Sequence, residues 1–153
     1  MTSSMCRRRH PERSHRTSTI GAAALSERCR FVGGDAFESV PAGGDAYLLS
    51  NFVISWGDEE ALVPLRNCRK AMAATGKLLL VEWIMPTGEA STDSFRFWDS
   101  VTMDLIMLAA FGSGGGHVRT LPEFETLLAA AGFRVTTALP TRASVWVIEA
   151  VPV

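Results

Sequence analysis

Gly33-Gly34-Asp35 is the turn in this chain with the clearest chemical content. It follows one short apolar run, Cys29 to Val32, and precedes a second, Ala46 to Ser50. In an open α/β sheet, ligands bind beyond the carboxyl ends of parallel strands. A carboxylate delivered there accepts hydrogen bonds from a ligand amine or hydroxyl, and the glycines let the backbone approach that ligand closely. Other candidate groups offer less. Cys6, Cys29 and Cys68 are an odd number without metal-like spacing, so they read as cytosolic thiols and not as a metal site. Arg7, Arg8 and Arg9 read as a solvated basic run, with a nucleic-acid tail as the alternative.

The elements that must position the turn alternate between strand and helix. A strand over 29–33 leads through Pro41 and Gly43-Gly44 to a strand over 46–51. Asp58, Glu59 and Glu60 place acid on the first turn of a helix reaching about Ala74, as the helix dipole favours. Leu62, Leu65, Cys68 or Arg69, and Met72 give that helix one apolar face. Lys77 to Met85 reads as a buried central strand because its apolar run is nearly unbroken. A helix rich in Phe, Trp, Met and Leu follows over 93–111. Thr120 with Glu123 forms a capping-box pattern for the next helix, and Gly132 ends it. Strands over 133–139 and 144–151 flank Pro140-Thr141-Arg142-Ala143 and read as an antiparallel pair. This order is the second half of a doubly wound α/β sheet.

Bulk properties bound the partners. The chain has 153 residues, 47% of them hydrophobic and 20% charged, with a net charge of −1. That suits one globular domain and gives no electrostatic case for nucleic acid or membrane. Residues 1–30 carry seven arginines against Glu12 and Glu27, so the remaining chain is acidic. Residues 1–19 lack apolar periodicity and read as disordered, and 20–27 as a short helix. No run reaches transmembrane length and no secretory h-region follows the N-terminal charge, so a cytoplasmic location is expected.

Four stretches in order resemble the S-adenosylmethionine (SAM)-dependent O-methyltransferases that act on plant phenolics and bacterial polyketides. They are Arg30-Phe-Val-Gly-Gly-Asp-Ala-Phe37; Leu49-Ser50-Asn51 through Trp56, Asp58 and Glu59; Leu65 to Cys68 with Gly76 to Glu82; and Asp104 to Leu108 with Arg119-Thr120 and Phe124 to Phe133. The resemblance implies a partial Rossmann-like class I methyltransferase sheet over 28–153 with a C-terminal antiparallel hairpin, residues 1–27 forming a separate remnant segment. It implies that Asp35, Ala36 and Phe37 hold the adenine end of SAM, and that Ser50, Asn51 and Trp56 form the floor and wall of the same site. Asp104 and Met107 would line the pocket of a small-molecule acceptor.

Three departures from the family pattern stand out. Ile54 occupies the position of the catalytic His, which in the family takes the proton from the acceptor hydroxyl. Val118 replaces the acidic residue that steers that His, while Glu82 persists at the other supporting position. Glu82 then serves either as a weak base or as a cap on the strand end, and His117 either as a substitute base or as a loop residue. Finally, the glycine-rich SAM loop and two strands expected upstream of residue 28 have no match in 1–27. The resemblance therefore implies impaired methyl transfer to a hydroxyl. The alternative is a non-catalytic fragment or binding module that pairs, with itself or another chain, through an exposed sheet edge beside strand 46–51.

Overall fold

A computed structural model describes residues 32–88, 94–112 and 114–153. The expected disorder over 1–19, the helix over 20–27 and the first residues of strand 29–33 lie outside them. Val32 and Gly33 are described, and they are not in a strand. The elements are β1 (Ala46–Ser50), a 3-10 turn (Val53–Ser55), α1 (Asp58–Ala71), β2 (Lys77–Trp83), α2 (Ser94–Phe111), α3 (Leu121–Ala130), β3 (Phe133–Pro140) and β4 (Val145–Pro152).

Four strands form one sheet in the order β1-β2-β4-β3. β1 and β2 are parallel, with Ala46 opposite Lys77 and Ser50 opposite Val81. Their crossover is α1, as parallel pairing requires. β4 enters antiparallel on the other side of β2, with Leu78 opposite Ala150, and β3 closes the sheet as its hairpin partner. β1 is terminal, so its outer edge has no strand neighbour among the described residues.

Alternation along β2 sorts its side chains. Leu78, Leu80 and Glu82 are buried, and the intervening Leu79, Val81 and Trp83 are half-buried. Leu78 and Leu80 join Ile148 and Ala150 of β4 beneath Leu65 and Cys68 of α1 and Phe124 and Leu128 of α3. Burial pushes the Cys68 thiol up to about 11, so it packs as an inert apolar group.

Several boundaries differ from the sequence expectation. α1 stops at Ala71 instead of about Ala74, because Met72 turns extended (φ −87°, ψ 140°) and lays its side chain against Gly76. A Cβ at residue 76 would overlap that side chain, so the tight return into β2 needs glycine. The strand expected to reach Met85 ends at Trp83, since the Met85 N–H leaves the ladder to donate to the Arg119 carbonyl at 2.9 Å. The strand expected through Asn51 ends at Ser50, where Asn51 takes a positive φ of 48°. At α3, the Thr120 N–H and hydroxyl both donate to Glu123 Oε2, at 2.7 and 2.8 Å. These bonds hold the Glu123 carboxyl below its usual range. Gly132 then ends the helix at φ 86°.

Candidate functional site

The site is built where β1 and β2 end. Beyond Ser50, the chain turns through the left-handed Asn51 and makes one 3-10 turn over Val53–Ser55 before entering α1. Buried charges lie on both sides of that turn. Glu82, at the end of β2, is 0% exposed. Its Oε1 accepts the N–H groups of Phe52 and Val53, both at 2.8 Å. On the other side, Arg119 is 1% exposed. Its Nη1 donates to the Val53 carbonyl at 3.1 Å and its Nη2 to the Trp56 carbonyl at 2.8 Å. Nε and Nη2 also reach Asp58 Oδ1, at 2.9 and 2.7 Å. The N–H end of the turn thus meets a carboxylate and its C=O end a guanidinium, matching the polarity of helical peptide units.

Burial pushes the Glu82 carboxyl up, and the N–H groups of Val53, Phe52 and Ile54 and the Arg119 charge oppose that rise. Its Oε2 is buried with no hydrogen-bond partner among the described atoms. Glu82 thus lies at the strand end without solvent contact, its carboxyl bonded to backbone. Ile54 is 4% exposed and packs within the turn. Gly116 crosses directly over it, so close that a Cβ at 116 would overlap the Ile54 carbonyl oxygen.

Asp35 shapes a turn of its own. Its Oδ1 accepts the Phe37 N–H at 2.9 Å, and its carbonyl accepts those of Glu38 and Ser39, both at 3.0 Å. Asn67 of α1 pins this turn by donating to the carbonyls of Ala36 and Phe37 at 2.9 and 3.1 Å. The Phe37 ring then meets the edge of Trp56, with centroids 4.7 Å apart and planes at 69°, and lies 6.2 Å from Phe52. Such pairs contribute about 0.5–1.5 kcal/mol each beyond their buried area. The structure therefore brings Asp35, Ala36, Phe37 and Trp56 to one place beyond the end of β1, where Ser50 and Asn51 are exposed.

Asp104 and Met107 lie one turn apart on α2, both half-buried. Asp104 Oδ1 accepts the Val118 N–H at 2.8 Å, which ties α2 to the segment carrying Arg119. Ser100, also buried, donates to the Ile84 carbonyl at 3.0 Å. His117 is half-buried beside Val118. No group of three or more potential metal ligands is found among the described residues. Among them, too, no helix is long and apolar enough to cross a membrane.

Residues 15–134 match the family model of the O-methyltransferase domain. The chain belongs to this family. The phenazine O-methyltransferase PhzM of Lysobacter antibioticus is 43% identical over 134 residues, covering 88% of this chain and 37% of that protein. The O-methyltransferase SfmM3 of Streptomyces lavendulae is 41% identical over 115 residues, covering 75% of this chain and 34% of that protein. Among solved structures, LaPhzM superposes with a TM-score of 0.78 at 41% identity, over 89% of this chain and 38% of its own. NcsB1, an O-methyltransferase from neocarzinostatin biosynthesis solved with SAM and 2-hydroxy-5-methyl naphthoic acid, gives 0.75 at 30% identity, over 90% of this chain and 38% of its own. The chain spans a little over a third of the length of these relatives. The fold is accordingly a partial class I methyltransferase sheet, as the motifs implied.

Within this O-methyltransferase domain, the sequence motifs named Arg119 without giving it work. One signal was present: it is the single Arg, Lys, Asp or Glu between Asp104 and Glu123. Ser100 had no comparable signal.

Proposed function

We propose that this chain provides the adenosine-binding wall of a SAM-dependent O-methyltransferase acting on a hydroxyl of a small aromatic or polyketide-like acceptor. The observation that carries the reading is the Phe37–Trp56–Phe52 cluster beside the Asp35 turn, beyond the carboxyl end of a parallel strand. An aromatic wall next to an exposed carboxylate suits a purine ring with its amine and hydroxyl donors. Asp35, Ala36, Phe37, Ser50, Asn51 and Trp56 would hold the cofactor, and Asp104 and Met107 would face the acceptor. When bound, SAM supplies an electrophilic methyl group on a sulfonium sulfur.

The residues of this chain then orient and exclude water more than they move protons. Ile54 cannot take a proton from the acceptor hydroxyl, and the Glu82 carboxylate is spent on backbone N–H groups. General-base catalysis is worth about 10²–10⁴ in rate, so transfer is impaired by roughly that factor and rests on orientation.

Calorimetric titration of the full chain with S-adenosylhomocysteine tests the cofactor reading. Binding in the micromolar range, weakened by Trp56→Ala, is expected; absence of heat at high micromolar ligand would sink it. Installing the missing base by Ile54→His is expected to raise methylation of 2-hydroxy-5-methyl naphthoic acid, the aromatic compound bound in the NcsB1 structure, at least about 10²-fold. An unchanged rate would show that position 54 does not face the acceptor. The outer edge of β1, which has no strand neighbour among the described residues, supports a second reading, a binding module that pairs through that edge, by itself or with another chain.

A further inference from the structure

The guanidinium of Arg119 is placed for more than charge burial. Four of its hydrogen bonds run to one seven-residue stretch, Phe52 to Asp58: the carbonyls of Val53 and Trp56, and Asp58 Oδ1 twice. That stretch carries the Trp56 ring. Its N-terminal half is fixed independently by Glu82, which holds the Phe52 and Val53 N–H groups. Its C-terminal half, including the Trp56 carbonyl, depends on Arg119.

Arg119 is itself immobilised from three directions. Its carbonyl accepts the Met85 N–H at 2.9 Å, and the preceding Val118 N–H is held by Asp104 at 2.8 Å. Gly116 is wedged against the backbone of Ile54 and Ser55. A planar fork with five donors can bridge two carbonyls and a carboxylate at once, whereas an ammonium cannot reproduce that geometry. Asp58, in contrast, leaves its side chain 67% exposed. Its bond to Arg119 satisfies the buried charge without itself touching the Trp56 carbonyl.

We propose that Arg119 is the positioning residue of the adenosine wall: by holding the carbonyls of Val53 and Trp56 it sets the angle at which the Trp56 ring meets Phe37. This rests on the assignment of that wall to SAM, but the positioning itself can be read without any ligand. The full chain, labelled with 5-fluorotryptophan, gives one fluorine line for each of its four tryptophans, with Trp56 assigned through Trp56→Phe. In Arg119→Lys the Trp56 line shifts or broadens while those of Trp83, Trp98 and Trp146 keep their wild-type positions. In Asp58→Asn, where the guanidinium retains both carbonyls, the Trp56 line stays near its wild-type position. Titration with S-adenosylhomocysteine follows the same order, with Kd rising about tenfold or more in Arg119→Lys and less than about threefold in Asp58→Asn, as expected when the bonds to the Val53 and Trp56 carbonyls are lost in only the first.

An unmoved Trp56 line in Arg119→Lys overturns the proposal, as does an equal shift in Asp58→Asn. Collapse of all four lines in Arg119→Lys also overturns it, since Arg119 would then be a folding residue and not a positioning one. If the wild-type chain binds no S-adenosylhomocysteine, the SAM assignment fails, and the fluorine lines still decide the role of Arg119.

Discussion

The 52–58 stretch and helix α2 lie against each other, yet they divide polar and apolar groups in opposite ways. The stretch is wrapped by charge: Glu82 and Arg119 are buried around its backbone, and its side chains Val53 and Ile54 fill the interior. α2 turns its hydrogen-bonding residues inward. Ser100 and Asp104 bond to Ile84 and Val118, while Arg96 and Asp99 reach the β3–β4 turn at Ala143 and Ser144. Several of its large apolar residues point out, with Phe95 70% and Trp98 63% exposed and Leu105 and Ile106 exposed as well. The contrast separates two kinds of order. Buried ionic contacts fix one backbone geometry at high cost if broken, whereas a helix hung on a few polar bonds leaves its apolar face without a fixed neighbour among the described residues.

Arg119→Met is the strongest way to break this contrast. It removes the guanidinium donors of the Trp56 and Val53 carbonyls, leaving the latter only the Trp56 N–H, and should cost about 3 kcal/mol in urea unfolding, the range for breaking a buried charge network. A loss below about 1 kcal/mol would mean that the stretch holds its shape without the guanidinium.

Glu82→Gln comes next and sharpens the electrostatic half. The folded-state pKa of Glu82 is raised, first by burial. Its protonation therefore favours the fold below the unfolded pKa, and that contribution is lost as pH rises through the folded value. Unfolding free energies of wild type and variant at stepped pH should shift in favour of the Gln form as pH rises from acid to neutral. A constant difference would place the Glu82 carboxylate in contact with water.

The smallest effect is expected on α2. Replacing Phe95 and Trp98 by Gln should change stability by less than about 0.5 kcal/mol each, as at exposed sites. A larger loss would mean that the outward face is covered in solution.

These two regions also differ in how far they could be read from sequence. Local signals carried the framework: the acidic start of α1, the apolar run of β2, the Thr120–Glu123 cap and the turn at 140–143 all rest on residues close in the chain. Asp35 and Trp56 were likewise marked by motif. The charge network was not legible, because Glu82 meets Val53 across 29 residues and Arg119 meets Trp56 across 63. Only the meeting of β1 and β2 ends with the 116–120 segment creates those contacts. The inward face of α2 was not legible for a different reason. Its Phe, Trp and Leu content does not say which face a helix buries when that face is held by hydrogen bonds.

The position of β4 has a consequence for the order in which this molecule can assemble. It is an interior strand, between β2 and β3, although it is the last element in the chain. Leu78 meets Ala150 only after some seventy further residues have been made. The β3–β4 hairpin is local and can form by itself, but the pairing of β2 with β4 closes a long loop and is correspondingly slow. During translation β2 therefore waits with a bare flank, and a ribosome that stalls before Val145 releases a chain in which β2 and β3 both lack the strand that joins them.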